Sequence, residues 1–358
     1  MKTVSIWAPL RYANYGDDLQ AIIMAKYIQS LGYNVYLFQL DEELSRIYNL
    51  KSVSNLDDLC KDVNLCIIAG GALLTPISIP KQILHKSSRE YEKDFRDLYS
   101  ITKKYPTIKF CAISMGGDGN THRPFNSFGV GRVKFFSCSN FINGSVRLPG
   151  DTIQMNVFGK EFVYYPDMLM KTKDYSSPKM LSQTKKYRVG FNFKKGKYLD
   201  KNFINDVFQY AETHDDIEFY FTTTHMLKKN MNYQYVPERE SKNIFIKRYE
   251  NPDQLLGILA SMDIFITSML HLGITGLVMG TPFISYRGPG KTKTFLRTIG
   301  GEWAITDDKV SFKELKERYF SQSKTQLFSA YNISKIQNMT KESIQHYELC
   351  KRIITEFA

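Results

Sequence analysis

Residues 263–297 read DIFITSMLHLGITGLVMGTPFISYRGPGKTKTFLR. An apolar run ends at Ser268, and helical spacing begins at Leu270. A second apolar run at 282–286 is followed by Gly288, Gly290 and a further helical stretch at 291–299. Strand, helix, strand and helix in this order predict a parallel unit, because parallel strands need crossover connections and are usually covered on both faces.

The same alternation extends in both directions. Upstream in the second half, strands are expected at 188–193, 217–222 and 243–247, with a helix at 201–213. Another helix is expected at 251–262, where Asn251 reads as N-cap, Pro252 as the first turn and Gln254 as the third position. In the first half, residues 3–9, 34–40, 64–69 and 108–114 read as strands, and 17–31 and 89–103 as helices. Shorter strands are expected at 133–138 and 162–165, and residues 142–147 also look strand-like. Residues 115–130, rich in Gly, Asn and Ser, read as a long loop, and His122 and Arg123 within it as part of a surface loop or lid. Residues 335–357 read as one long amphipathic helix packed on a core.

These elements predict an α/β protein of two Rossmann-like domains facing a cleft, with a long C-terminal helix. A first domain at 1–170, a polar linker at 171–186 and a second domain at 187–358 divide the 358 residues into lengths suited to one core each. In such sheets ligands bind at the carboxyl ends of strands.

Composition narrows the function. The formal net charge is +12, spread along the chain. It is compatible with anionic substrates and with peripheral contact with an anionic membrane, but no RNA-binding signature appears, and nucleic acid is not an expected partner. There is no apolar run of membrane-spanning length and no signal-like start. Five cysteines without a CxxC pair predict neither a disulfide framework nor a zinc site, and a cytoplasmic location is expected. HExxH and GxSxG are absent, and no metal ligands are expected.

The candidate site residues gather at strand ends. His271 opens a helix, where unpaired N–H groups favour an anion and an imidazole can act as acid or base. Between Asp263 and Glu302 there is no carboxylate, while Arg287, Lys291, Lys293 and Arg297 are all cationic. Ser268, Arg287 and Lys291 are therefore candidate anion contacts, with Arg147 a further one. In the first half, Asn14 and Gly16 precede Asp17, which reads equally as helix cap and as substrate contact. Gly70 and Gly71 follow the third strand, and Gly116 and Gly117 the fourth, as candidate backbone contacts. His225 follows a Thr-rich strand end.

These pieces occur in the order found in the polysaccharide pyruvyl transferase family, which the chain resembles over residues 10–300. Asn14-Tyr15-Gly16-Asp17 is similar to its N-x-G-D motif, and Ala69-Gly70-Gly71-Ala72-Leu73 and Ile113 to Gly117 to its glycine-rich strand ends. Pro166-Asp167 matches its Pro-Asp. Ser268-Met269-Leu270-His271, Gly280-Thr281-Pro282, Tyr286 and Lys291 resemble its S-R-L-H, G-x-P, aromatic and Lys. Two positions depart: Met269 stands where the family has Arg, and Arg147-Leu148 where it has Arg-Asp.

The resemblance implies transfer of pyruvate from phosphoenolpyruvate to a sugar of a cell-surface polysaccharide or lipid-linked precursor, forming a ketal. The acceptor is expected on the first domain and the donor anion on the second. His271 and Asp17 are implied as proton-handling residues, with phosphoenolpyruvate as co-substrate and no cofactor. Two alternatives follow from the same residues. One is a GT-B-type glycosyltransferase using a nucleotide-sugar. The other, suggested by Met269, is a non-catalytic relative in a glycan pathway.

Overall fold

The computed structural model describes residues 2–77, 84, 86–117, 124, 127–194, 201–226, 234–306 and 310–358. His122, Arg123 and most of the expected loop around them lie outside these. The chain divides into two compact units. The first comprises Met1–Arg11, Asp17–Met168 and Lys341–Ala358, and the second Tyr12–Gly16 and Leu169–Thr340.

The first unit begins with β1 (Thr3–Trp7), α1 (Tyr15–Ser30) and β2 (Asn34–Phe38). Next come α2 (Glu42–Tyr48), β3 (Lys51–Val53), α3 (Leu56–Cys60), β4 (Leu65–Ala69) and α4 (Lys86–Lys104). It continues through β5 (Lys109–Met115), α5 (Val130–Ser137), β6 (Phe141–Val146), α6 (Pro149–Val157) and β7 (Phe162–Tyr164). The sheet order is β3-β2-β1-β4-β5-β6-β7, with every pairing parallel. Its first six strands follow the doubly wound order, which reverses between β1 and β4. All five residues of β4 are buried, as its continuous apolar run requires when helices cover both faces.

The second unit repeats the plan. Its elements are β8 (Tyr187–Lys194), α7 (Lys201–Thr213), β9 (Ile217–Thr222), β10 (Gln234–Tyr235) and β11 (Ile244–Lys247). Then follow α8 (Pro252–Ser261), β12 (Ile264–Thr267), α9 (Leu270–Val278), β13 (Phe283–Tyr286), α10 (Gly290–Thr298) and β14 (Ile305–Thr306). Short helices α11 (Phe312–Leu315) and α12 (Lys324–Ser329) precede α13 (Ile333–Glu342), and α14 (Gln345–Phe357) ends the chain. The strand order β11-β9-β8-β12-β13-β14 again reverses beside its first strand, and β10 adds antiparallel to β8. Asn251 caps α8 as expected, accepting the Gln254 N–H at 2.9 Å.

Two expectations change and one is refined. Residues 133–138 are not a strand: Val130–Ser137 is a helix, with Gly131, Arg132, Phe135 and Phe136 buried at helical spacing. The stripe is hard to read because one buried position is Arg132. Its guanidinium pairs with Glu92 of α4 at 2.6 Å and donates to the carbonyls of Leu73 and Thr75. The long C-terminal helix is present from Ile333 to Phe357, with a turn at residues 343–344 that divides it into α13 and α14. Ile336 and Met339 are buried before the turn, and Tyr347, Cys350 and Ile354 after it. Finally, Lys341–Ala358 counts with the first unit, while Leu169 to Lys186 counts with the second. There Leu181 N–H donates to Ser261 Oγ, and the carbonyl of Ser182 accepts from Arg188.

The tail is tied into the first unit by His346, which is fully buried. Its Nε2 lies 2.9 Å from the Pro166 carbonyl, which can only accept, so Nε2 carries the proton. Nδ1 then accepts from Ser145 Oγ at 2.7 Å, and that oxygen accepts the Ser114 N–H. Burial pushes the ring pKa down to about 3, against the pull of the carbonyl contacts. The unfolded chain takes up a proton near pH 6.5, and the folded chain only near 3. This group's contribution to stability is therefore complete above about pH 6.5 and falls as the pH drops toward 3. His346→Gln is expected to be less stable at pH 7, yet to lose stability less steeply from pH 6 to 4. The difference should approach one proton, about 1.4 kcal/mol per pH unit. Urea unfolding at several pH values reads it, and parallel slopes would contradict the assignment.

Candidate functional site

In the second unit, the carboxyl ends of β8, β12 and β13 enclose a cavity of about 280 Å³. Phe193 and Lys194 come from β8, Ser268 follows β12, and Tyr286 ends β13 with Arg287, Gly288 and Pro289 after it. Parallel pairing of Ile264↔Val189 through Thr267↔Asn192 brings the first two ends to one level. The strand order reverses between β8 and β12, so the cavity lies where doubly wound sheets bind ligands.

Two helices start here. α9 follows Met269 and α10 follows Pro289, and neither N-cap makes a side-chain hydrogen bond. Neither first turn carries an acidic residue. Neither start is therefore capped or neutralised by a side chain of its own first turn, and each presents its partial positive charge to an anion. Ser268 Oγ is buried without a hydrogen-bond partner, and so are the hydroxyls of Ser285 and Thr292. The latter two lie beside Gly288, where any side chain would fall on Ser285 Oγ. Buried hydroxyls left without partners are costly, and such groups gather where a ligand supplies the missing bond. Arg287 holds a left-handed backbone, φ 51°, with its guanidinium 5.3 Å from the Tyr286 ring centroid. For a non-glycine residue this conformation costs of order 1–3 kcal/mol, and such strain recurs at functional sites.

The structure thus brings Ser268 and Arg287 together. Lys291 stands in the first turn of α10 and is not among the residues lining the cavity. Lys194 was missed in the sequence because the strand was read to end one residue earlier. The strand-end rule, applied with that one residue added, would have found it.

His271 lies one residue inside α9, and the segment Tyr12–Gly16 packs with it in the same unit. A Cβ on Gly16 would fall on the His271 ring, so only glycine permits this approach. The segment is pinned by Tyr15 N–H to the Thr224 carbonyl, 2.8 Å, and by Tyr15 Oη to Thr275 Oγ1, 2.8 Å. Thr275 Oγ1 in turn donates to the His271 carbonyl at 2.7 Å. Asn14 accepts the Gly16 N–H with its side chain and bridges to His225. Burial pushes His225 down to about 4, so its ring is neutral at physiological pH.

In the first unit, the remaining candidates form a polar chain across the strand ends. The Gly71 N–H donates to Gln20 Oε1, and Gln20 Nε2 donates to Asp167. Asp167 pairs with Arg147 at 3.3 Å, with both side chains buried. A side chain at Gly70 would fall on Gln20, and one at Gly116 on Arg147. The backbone donors of these glycines are taken: Gly70 by the Ile113 carbonyl, Gly116 by the Gly71 carbonyl, and Gly117 by Asp151 Oδ2. Their contribution to this arrangement is space for Gln20 and Arg147. Asp17 lies half-buried in the first turn of α1. Among the described residues, no group of three His, Cys, Asp or Glu is placed to hold a metal ion. No helix among them is long and apolar enough to cross a membrane.

The whole chain is similar to solved structures at low identity. MnaA of S. aureus, solved with UDP, aligns with TM-score 0.62 at 8% identity, covering 100% of this chain and 99% of that one. The UDP-GlcNAc 2-epimerase of Neisseria meningitidis, bound to UDP-GlcNAc, gives 0.57 at 8%, covering 99% of each. The glycosyltransferase SnogD of Streptomyces nogalater gives 0.52 at 11%, also covering 99% of each. At these identities the likeness shows a GT-B-like fold and nothing finer. No curated protein matches in sequence. The model of the polysaccharide pyruvyl transferase family matches residues 154–287, a stretch that holds Arg147's partner Asp167, the strand ends of the second-unit cavity through Arg287, and His271.

Proposed function

We propose that the protein transfers pyruvate from phosphoenolpyruvate to a sugar of a polysaccharide or its precursor. The observation that carries this is the second-unit cavity, with two uncapped helix starts, Lys194, Arg287 and the unpartnered Ser268 Oγ. Such a site suits a small, multiply charged anion. At about 280 Å³ it suits phosphoenolpyruvate better than a nucleotide-sugar. The family match over residues 154–287 supports modification of a polysaccharide by a transferase.

In this reading, a sugar hydroxyl adds to C2 of phosphoenolpyruvate while C3 takes a proton. The C2–O bond to phosphate then breaks, and a second hydroxyl adds to C2, closing the ketal. The two hydroxyl protons balance the one gained at C3 and the one carried off with phosphate. Arg287, Lys194 and the helix starts hold the donor and stabilise charge on the departing phosphate. His271, held against Gly16, exchanges protons with the reacting groups. Asp17 is assigned to the acceptor hydroxyl, while Arg147, buried against Asp167, holds that carboxylate. The fold neighbours favour a second reading, nucleotide-sugar chemistry on the same scaffold.

Calorimetric titration with phosphoenolpyruvate separates the readings. Saturable binding is expected, weakened by His271→Ala and tightened by Met269→Arg, which restores a cation at the start of α9. Saturation by UDP in place of phosphoenolpyruvate would favour the second reading and sink the first.

Arg287→Gly offers a sharper check, because glycine accepts the left-handed backbone without strain. It is expected to melt no lower than the wild type while binding phosphoenolpyruvate about ten- to a hundred-fold more weakly, the scale of one charge-assisted contact. Unchanged affinity would remove Arg287 from the site.

A further inference from the structure

The first unit contains a second cavity, of about 480 Å³, within the range of about 300–1,000 Å³ usual for small-molecule sites. It lies along α4, beside α3 and the ends of β1 and β2. Its apolar lining is Trp7, Phe38, Leu56 and Ile101. Six of its charged groups are matched in pairs, and a seventh, Glu90, pairs with Lys86 from outside the lining. Arg11 donates to Asp94 at 2.8 Å, Lys104 to Asp57 at 2.6 Å, and Lys93 pairs with Asp97. Each of these cations already holds a carboxylate, so the lining offers little to a phosphate. The described carboxylates do not group to hold a metal ion either.

What the cavity offers is paired donors and acceptors at short spacing. Carboxylates that accept one bond from a cation keep lone pairs for a hydroxyl. Asp94 is largely desolvated, and burial pushes its carboxyl up to about 6 despite the opposing pull of Arg11. Trp7, 1% exposed, lines the cavity, and its Nε1 is a buried donor with no acceptor. Ser54, Asn55 and Ser100 add neutral polar groups. A ligand that matches is not an anion, and it must donate and accept at neighbouring atoms. Vicinal hydroxyls on a pyranose ring do both.

We propose that this cavity binds a neutral sugar residue of the glycan, with Asp94 accepting from its hydroxyls and Arg11 holding Asp94 in place. The choice of sugar over other polyols rests on the reading that the protein modifies a glycan. The cavity is a different place from the anion site, and its occupancy is read without phosphoenolpyruvate.

The test is saturation-transfer NMR and calorimetry on the full chain. The probes are methyl hexopyranosides and N-acetylhexosamines, with a uronic acid and inorganic phosphate as charged comparators. Saturable binding of at least one neutral glycoside is expected. Asp94→Asn should weaken it tenfold or more. Ser100→Trp, which fills the cavity from an exposed position, should abolish it with melting unchanged. Ser268→Ala should leave it intact. The proposal falls if no neutral glycoside binds, if the uronic acid or phosphate binds in its place, or if both Asp94→Asn and Ser100→Trp bind as the wild type does. Sugar binding without any response to phosphoenolpyruvate would refute the transfer reaction and leave this site standing. The reverse result would do the opposite.

Discussion

Parallel pairing of β8 with β12 is the constraint on which the second-unit site depends. Parallel strands end on the same side, and each must turn into a helix to return. Lys194 and Ser268 therefore meet at one edge, and the start of α9 follows at once. The next strand repeats the step, adding Arg287 and the start of α10. Backbone N–H groups and cations then converge without any long-range loop having to place them. The absence of carboxylates from 264 to 301 leaves that convergence uncompensated from within the segment.

Much of this was legible in the sequence, and the reason is local. The apolar runs of the central strands are buried on both faces, and Asn251-Pro252 marks its helix start by chemistry that acts within one turn. What escaped depends on partners far away in the chain. Residues 130–137 hide their helical stripe because Arg132 is buried, and Glu92, forty residues earlier, with the Leu73 and Thr75 carbonyls makes that tolerable. The break after Glu342 separates two buried stripes that share one period. Among the site residues, Ser268, His271 and Arg287 were visible at strand ends. The space-making part of Gly16 and Gly116 was not, because each depends on a side chain, His271 or Arg147, from another element.

The two units use their glycines and charges differently. In the first, buried polar groups are linked across the strand ends: Gln20 and Asp167 are hydrogen-bonded, Asp167 pairs with Arg147, and Asp151 takes the Gly117 N–H. In the second, the hydroxyls of Ser268, Ser285 and Thr292 face no partner beside the left-handed Arg287. Buried hydroxyls without a partner mark where an incoming molecule gains most. The fold is shared at about a tenth of sequence identity with the glycosyltransferase SnogD and with MnaA, and the scaffold specifies strand ends and not their chemistry.

The assignment of Lys341–Ala358 to the first unit has a consequence for synthesis. Tyr347, Cys350 and Ile354 complete a core whose other members precede Met168. While the chain emerges from the ribosome, the whole of the second unit is made before α14. The later-made unit can therefore close first. The earlier one must wait, with an apolar sheet face open, for some 180 residues to be added, a span in which a chaperone has reason to hold it.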